Sequence, residues 1–191
     1  PPRIKFEGAP RGAAYEAWRE EFCRQVIFCD LSPVHEGTFE YEVSPFPLTA
    51  NVTLSSGGGS PIRYKTRAND DRLVLVLPET ASLDMRMGKR ETLLMPGQVS
   101  FGDSGQRGAV VVQGTAGTFN SIIFDRKTLL ASYPSAEDFI ARPVSIDGTA
   151  LDLLRAYSEI VRKQPQDLSA AAASLVGQHL LDLTLLVIGA S

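Results

Sequence analysis

The 191-residue chain is poor in the residues that chemistry usually needs: it has two cysteines, two histidines, one tryptophan and no excess of positive charge. Cys23 and Cys29 stand six apart, a spacing that matches no common zinc pattern and has no second pair to complete a site. They read as two reduced, mostly buried thiols of a cytoplasmic protein. His35 falls in the loop Ser32-Pro33-Val34-His35-Glu36-Gly37 and His179 in the last helix, so no His-x-His strand motif exists to hold a metal. His35 reads as solvated and His179 as a core or interface histidine. The formal charge of −3 leaves no basic footprint for gripping nucleic-acid phosphates. Asp182 and Gln178 interrupt the greasiest stretch, so no membrane span is expected. The start, Pro1-Pro2-Arg3, lacks both an initiator Met and an apolar signal region, which points to a processed, trimmed or engineered beginning and not to secretion.

Catalytic constellations are lacking too. There is no Gly-x-Ser-x-Gly elbow, and Ser104, in Gly102-Asp103-Ser104-Gly105, is explained by a tight turn. Glu40 and Glu42 share a strand face, where paired acids are ordinarily solvated. No cofactor, no metal and no enzyme activity are expected.

What is present is a change of pattern. Gly12 to about Val26 carries Tyr15, Trp18, Phe22 and Val26 at spacings of three and four, an amphipathic opening helix whose aromatic stripe plugs the domain that follows. From Thr38 the period becomes two, with Phe39, Tyr41 and Val43 alternating with Glu40 and Glu42, and Pro45 and Pro47 bend or end that strand. Asn51 to Ser55 is the next strand, and Gly57-Gly58-Gly59 before Pro61 reads as a hairpin or mobile lip. Ile62, Tyr64 and Thr66 alternate with Arg63, Lys65 and Arg67. Arg72 to Leu77 is apolar on both faces, as a covered central strand requires. Short strands follow over 81–87, 92–95, 99–101, 109–113 and 119–124, with turns at 69–71, 87–89, 96–97, 102–105 and 113–115. This spacing favours an antiparallel sandwich or barrel over alternating β-α units.

The last third is helical. One or two brief turns are expected near 128–139. A helix capped by Asp147 or Thr149 runs to about Lys163 with Leu151, Leu154, Tyr157, Ile160 and Val161 inward, and Pro165 ends it. A longer helix capped by Asp167 or Ser169 reaches about Ile188 and is apolar nearly all round, so it needs a second surface besides its own barrel, met by the same helix of a second copy. Leu175, Val176, His179, Leu183 and Leu186 are the residues expected at that contact. Inside the strands, Tyr41, Tyr64 and Phe101, with Arg67 as a counter-charge, form a container suited to a small organic ligand; the same residues can instead simply fill the barrel.

Several segments in order then resemble a known family. They are the opening helix with Trp18, the strand Arg63 to Arg67, the strand Leu73 to Leu77, and Leu94-Met95-Pro96-Gly97-Gln98-Val99-Ser100-Phe101-Gly102-Asp103-Ser104. The chain is similar to the N-terminal effector-binding domain of AraC/XylS-type bacterial transcription regulators. The resemblance implies a mainly β fold with α: a cupin-like double-stranded β-helix, or jelly-roll barrel, preceded by one helix and followed by others. It implies residues 1–37 as N-terminal helix and lead-in, 38–125 as barrel and 126–191 as a helical dimerisation region. It further implies a homodimer, a small-molecule effector, and DNA contact only through a C-terminal helix-turn-helix domain absent from this chain, to which the abrupt stop at Gly189-Ala190-Ser191 is attributed. The competing readings are a stand-alone cupin-like enzyme acting on a small sugar or organic acid, and a purely structural dimerisation module with a filled barrel.

Overall fold

From residue 62 onward the chain crosses repeatedly between two antiparallel sheets, and that alternation sets the architecture. The computed structural model describes residues 3–68, 70–114, 117–145, 148–164 and 168–189. The expectations placed on Asn69, Thr115, Asp147, Pro165, Asp167 and the terminal residues lie outside these. Strands β1 (Ile4–Gly8), β3 (Phe39–Pro47), β4 (Val52–Gly59), β6 (Arg72–Pro78), β9 (Gln98–Asp103), β11 (Gly117–Asp125) and β12 (Val144–Ser145) form one sheet, in the order β1-β3-β4-β11-β6-β9-β12. Strands β2 (Cys29–Pro33), β5 (Ile62–Arg67), β7 (Ser82–Met87), β8 (Arg90–Leu94) and β10 (Arg107–Gln113) form the other, in the order β2-β5-β10-β7-β8. From β5 the chain alternates second sheet, first, second, first, second, first, with β7 and β8 a hairpin within one turn. This is a cupin-like double-stranded β-helix.

Helix α1 (Ala13–Gln25) precedes the barrel, and α2 (Arg126–Ser132), a short 3-10 helix (Pro134–Phe139), α3 (Gly148–Arg162) and α4 (Ala170–Gly189) follow it. Asp125 caps α2 by accepting from the Thr128 N–H at 2.8 Å, and Ser169 caps α4 by accepting from the Ala172 N–H at 3.2 Å. The two strands inside residues 1–37, β1 and β2, were not anticipated. Each is short and supplies only one or two buried apolar side chains, too few to show a period of two.

Two cores result, one on each face of the larger sheet. Strand β6 shows why, since it lies between β11 and β9 and is covered on both sides. Leu73, Leu75 and Leu77 pack outward with Phe101, Phe124, Leu151, Leu154, Leu180 and Val187 beneath the C-terminal helices, whereas Val76 packs inward with Val43, Ile62, Leu83, Val112 and Ile123 between the sheets. Helix α1 lies against the inner core, because Tyr15, Trp18 and Phe22 fall on one face and join Phe6, Phe39 and Tyr41 in a run of ring contacts 5.2–6.3 Å apart.

Three local expectations are corrected. Strand β3 continues through Pro45, which pairs with Ser55 on β4, and ends only at Pro47; among the described residues β1 reaches no further than Val43. Gly57-Gly58-Gly59 is no lip but the end of β4, paired to Val43, Glu42 and Tyr41 on one side and to β11 on the other. A Cβ on Gly57 would stand 2.8 Å from the Tyr41 hydroxyl, and one on Gly59 only 2.2 Å from the Glu40 carbonyl oxygen, so the glycines are there for close approach. In α3, Ile160 points outward and is 58% exposed, while Ser158 takes the buried position.

Candidate functional site

The barrel interior is not completely filled. A cavity of about 80 Å³ lies between the sheets. Its walls come from Val43 on β3, Val74 and Val76 on β6, Leu83 and Met87 on β7, Val110 and Val112 on β10, and Phe119 and Ile123 on β11. Its cover comes from Phe22 on α1 and from Val26, Ile27 and Cys29 where the chain passes from α1 into β2. The same stripe that makes α1 amphipathic therefore closes the barrel.

Polar groups interrupt this apolar wall at a few places. Ser55 and Ser121 are cross-strand partners on β4 and β11, and both line the cavity. Tyr64 lines it from β5 and its hydroxyl hydrogen-bonds that of Tyr41, which is fully buried on β3. Removal from water pushes both tyrosine pKa values up, so each remains a phenol at neutral pH. Thr66 donates to the Gln106 carbonyl oxygen at 2.6 Å. At the far end, Ser104 donates to the Arg72 carbonyl oxygen at 2.8 Å, and Asp103, 5% exposed, pairs with Arg126 and accepts from the Gly105 N–H at 2.7 Å. Asp103 and Ser104 are thus tied into the frame of the cavity, which leaves Tyr64, Ser55 and Ser121 as the groups best placed to orient a guest.

No protein-family model matches the sequence, and no curated protein matches it. Among solved structures, the AraC-like transcriptional activator CuxR superposes on 100% of this chain and 71% of its own with a TM-score of 0.76 at 14% identity. The chain shares that fold from end to end. The cupin domain of an XRE-family transcriptional regulator from Enterobacter cloacae superposes on 44% of this chain and 95% of its own, with a TM-score of 0.36 and 16% identity. KdgF from Halomonas sp. does so on 51% and 88%, with a TM-score of 0.36 and 11% identity.

The residues singled out in the sequence divide between several places. Tyr64 lines the cavity, and Tyr41, which does not line it, meets Tyr64 through their hydroxyl groups. Arg67 does not join them, because the alternation of β5 turns it to the outside, where it pairs with Asp30 and stands 5.5 Å over the Phe28 ring. Phe101 is fully buried but belongs to the core under the C-terminal helices. In α4, Leu175 and Leu186 are 58% and 48% exposed, Val176 and Leu183 are half-buried, and His179 is exposed with its Nδ1 2.8 Å from the Tyr157 hydroxyl. Helix α4 is long and apolar enough to cross a membrane by length and composition, although Ala173, Gly177, Leu180, Leu181, Thr184, Val187 and Ile188 are buried against the rest of the protein. His35 is exposed, and no group of three or more His, Cys, Asp or Glu side chains converges among the described residues.

One feature escaped the sequence reading. A wide groove of about 750 Å³ runs between α3 and the outer face of β3, β4 and β11, with Arg155 and Arg162 above Glu42, Glu79 and Asn120. Of its charges, Arg155 lies 3.5 Å from Glu79, Arg162 donates to the Asn120 amide oxygen, and Glu159 pairs with Lys163 at 2.7 Å. The two arginines are seven apart on α3, a spacing that a helix-face plot would have revealed once the outer sheet face was known.

Proposed function

We propose that the chain is the regulatory domain of an AraC-type transcription regulator, sensing a small effector in its barrel and pairing with a second copy through α4. The observation that carries this is the cavity closed by α1, within a fold that an AraC-like activator shares over the full chain. Free space of about 80 Å³ is small beside the ~300–1,000 Å³ of ordinary ligand pockets. The effector is therefore a compact, mostly apolar molecule with one hydroxyl or carboxyl group to meet Tyr64 and the Ser55/Ser121 pair, or a larger one that displaces α1. Because α1 both roofs the cavity and forms part of the inner core, a guest changes how firmly α1 is held, and that change is the signal. DNA contact belongs to a helix-turn-helix domain of the parent protein, which acts in the cytoplasm, and the domain itself performs no catalysis.

The test is thermal unfolding of the chain with a panel of small aromatic and aliphatic acids and alcohols. A ligand at one hundred times its Kd adds about 2.7 kcal/mol of stability. The proposal expects at least one such molecule to raise Tm, and expects Val112→Phe, which fills the cavity, to abolish that rise. A rise that survives Val112→Phe, or no rise with any member, counts against effector sensing in the barrel.

A further inference from the structure

We propose that Cys23 and Cys29 form a peroxide-oxidisable dithiol, a redox modification site built into the cover of the barrel cavity. The two sulfurs come from different elements: Cys23 lies in the last turn of α1, and Cys29 opens β2. As a thiol, Cys23 donates to the Cys29 carbonyl oxygen at 3.0 Å, which sets its sulfur against Cys29 across the passage from α1 into β2, and the two thiols also interact with each other. Cys29 is 4% exposed and lines the cavity, whereas Cys23 is only half-buried and open to a small oxidant. Arg19, one turn back on α1, and Arg67, beside the Cys29–Thr66 pairing, are both anchored on Asp30, and they place positive charge around the pair.

These surroundings separate the two thiols in reactivity. Hydrogen bonding with the Cys29 side chain, a smaller effect of the Cys29 backbone, and the nearby Arg19 and Arg67 guanidiniums bring Cys23 down to about 6 despite its partial burial, so it is largely thiolate at neutral pH. The contact with Cys23 and burial push Cys29 up, which leaves it a protonated resolving partner.

The reaction balances with a hydroperoxide as the oxidant. The Cys23 thiolate attacks the O–O bond; an S–O bond forms, the O–O bond breaks, and the departing alkoxide or hydroxide takes a proton to leave as alcohol or water. The Cys29 sulfur then attacks the Cys23 sulfenic sulfur; the S–S bond forms, the S–O bond breaks, and the Cys29 proton departs with the hydroxyl as a second water. Two thiols are oxidised by two electrons and one peroxide is reduced. The resulting bridge closes a ring through Val26 and Ile27, both of which line the cavity, and so ties the end of α1 to β2. Formation of the bridge does not depend on the cavity holding an effector.

The test treats the 191-residue chain with equimolar hydrogen peroxide, followed by intact mass and a tryptic map without reductant. Trypsin cuts after Arg24, between the two cysteines, so a bridge joins two otherwise separate peptides. The expected result is loss of two hydrogens, a Cys23–Cys29 linked peptide pair, and recovery of both thiols with dithiothreitol. In Cys29→Ser the expected result is a dimedone adduct at Cys23; in Cys23→Ser, Cys29 stays unlabelled. Recovery of both thiols after peroxide, or a disulfide formed only between chains, overturns the proposal. So does a Cys29→Ser protein whose Cys23 takes no dimedone.

Discussion

Tyr41 and Tyr64 each remove the other's need for water, and single substitutions therefore read differently from the pair. Tyr64→Phe strands the fully buried Tyr41 hydroxyl. The expected cost is about 1–3 kcal/mol in urea unfolding, part of which Tyr41→Phe/Tyr64→Phe regains. The same pair predicts a pH dependence. Both folded-state pKa values are raised above the unfolded value of about 10, so stability is fully present below pH ~10 and falls as the pH climbs beyond it, because the unfolded chain then releases more protons. A loss that begins above that pH in the native chain, and is smaller in the double Phe variant, is the expected outcome. At the same scale, Gly59→Ala at φ +137° drives a Cβ to 2.2 Å from the Glu40 carbonyl oxygen, and at least about 2 kcal/mol of destabilisation is expected by chemical denaturation. That glycine run shows what one sequence hides. Three glycines before a Ser-Pro fit a turn equally well, and only the neighbouring strands, with the Tyr41 hydroxyl against Gly57 and the Glu40 carbonyl oxygen against Gly59, show that they make room.

Among the elements, α1 was the most legible, since aromatic residues at spacings of three and four show which face a helix buries. The period of two likewise placed β3 and β5, and a run apolar on both faces placed β6, before their partners were known. Strands β1 and β2 were not readable, because their order comes from pairing to β3 and β5 more than from their own pattern. Helix α4 shows where pattern reading ends: apolar residues all round predicted a second surface, and the fold buries one face while leaving Leu175 and Leu186 largely exposed. If a second copy covers them, Leu175→Glu/Leu186→Glu shifts sedimentation from dimer to monomer while monomer stability moves by only about 0.5 kcal/mol. An unchanged sedimentation coefficient removes α4 from any dimer contact.

At the scale of the whole molecule, one sheet separates two cores with different tasks. The outer core fastens the C-terminal helices to the barrel; the inner core, roofed by α1, keeps a space open. Alternation along β5 foretold that Tyr64 faces inward, and the same alternation sends Arg67 out, so the sequence pattern itself already told against Arg67 as a counter-charge inside the container. Phe101 misled for a related reason: β9 has buried residues on both faces, and the sequence does not say which core each one serves. Cavity residues such as Val110, Ser55 and Ser121 carry no local signal of their own, being ordinary strand residues until two sheets bring them together.

The account rests on that internal space being open to a guest, and the methionines report on it directly. Met87 lines the cavity, whereas Met95 is 46% exposed outside it and serves as the control. With methyl-labelled methionine, NMR spectra recorded under increasing xenon pressure should show a saturable shift of the Met87 methyl, no comparable shift of Met95, and loss of the effect in Val112→Phe. A Met87 resonance that moves no more than Met95 would mean that the barrel is closed to guests, and would contradict a sensing role for its interior.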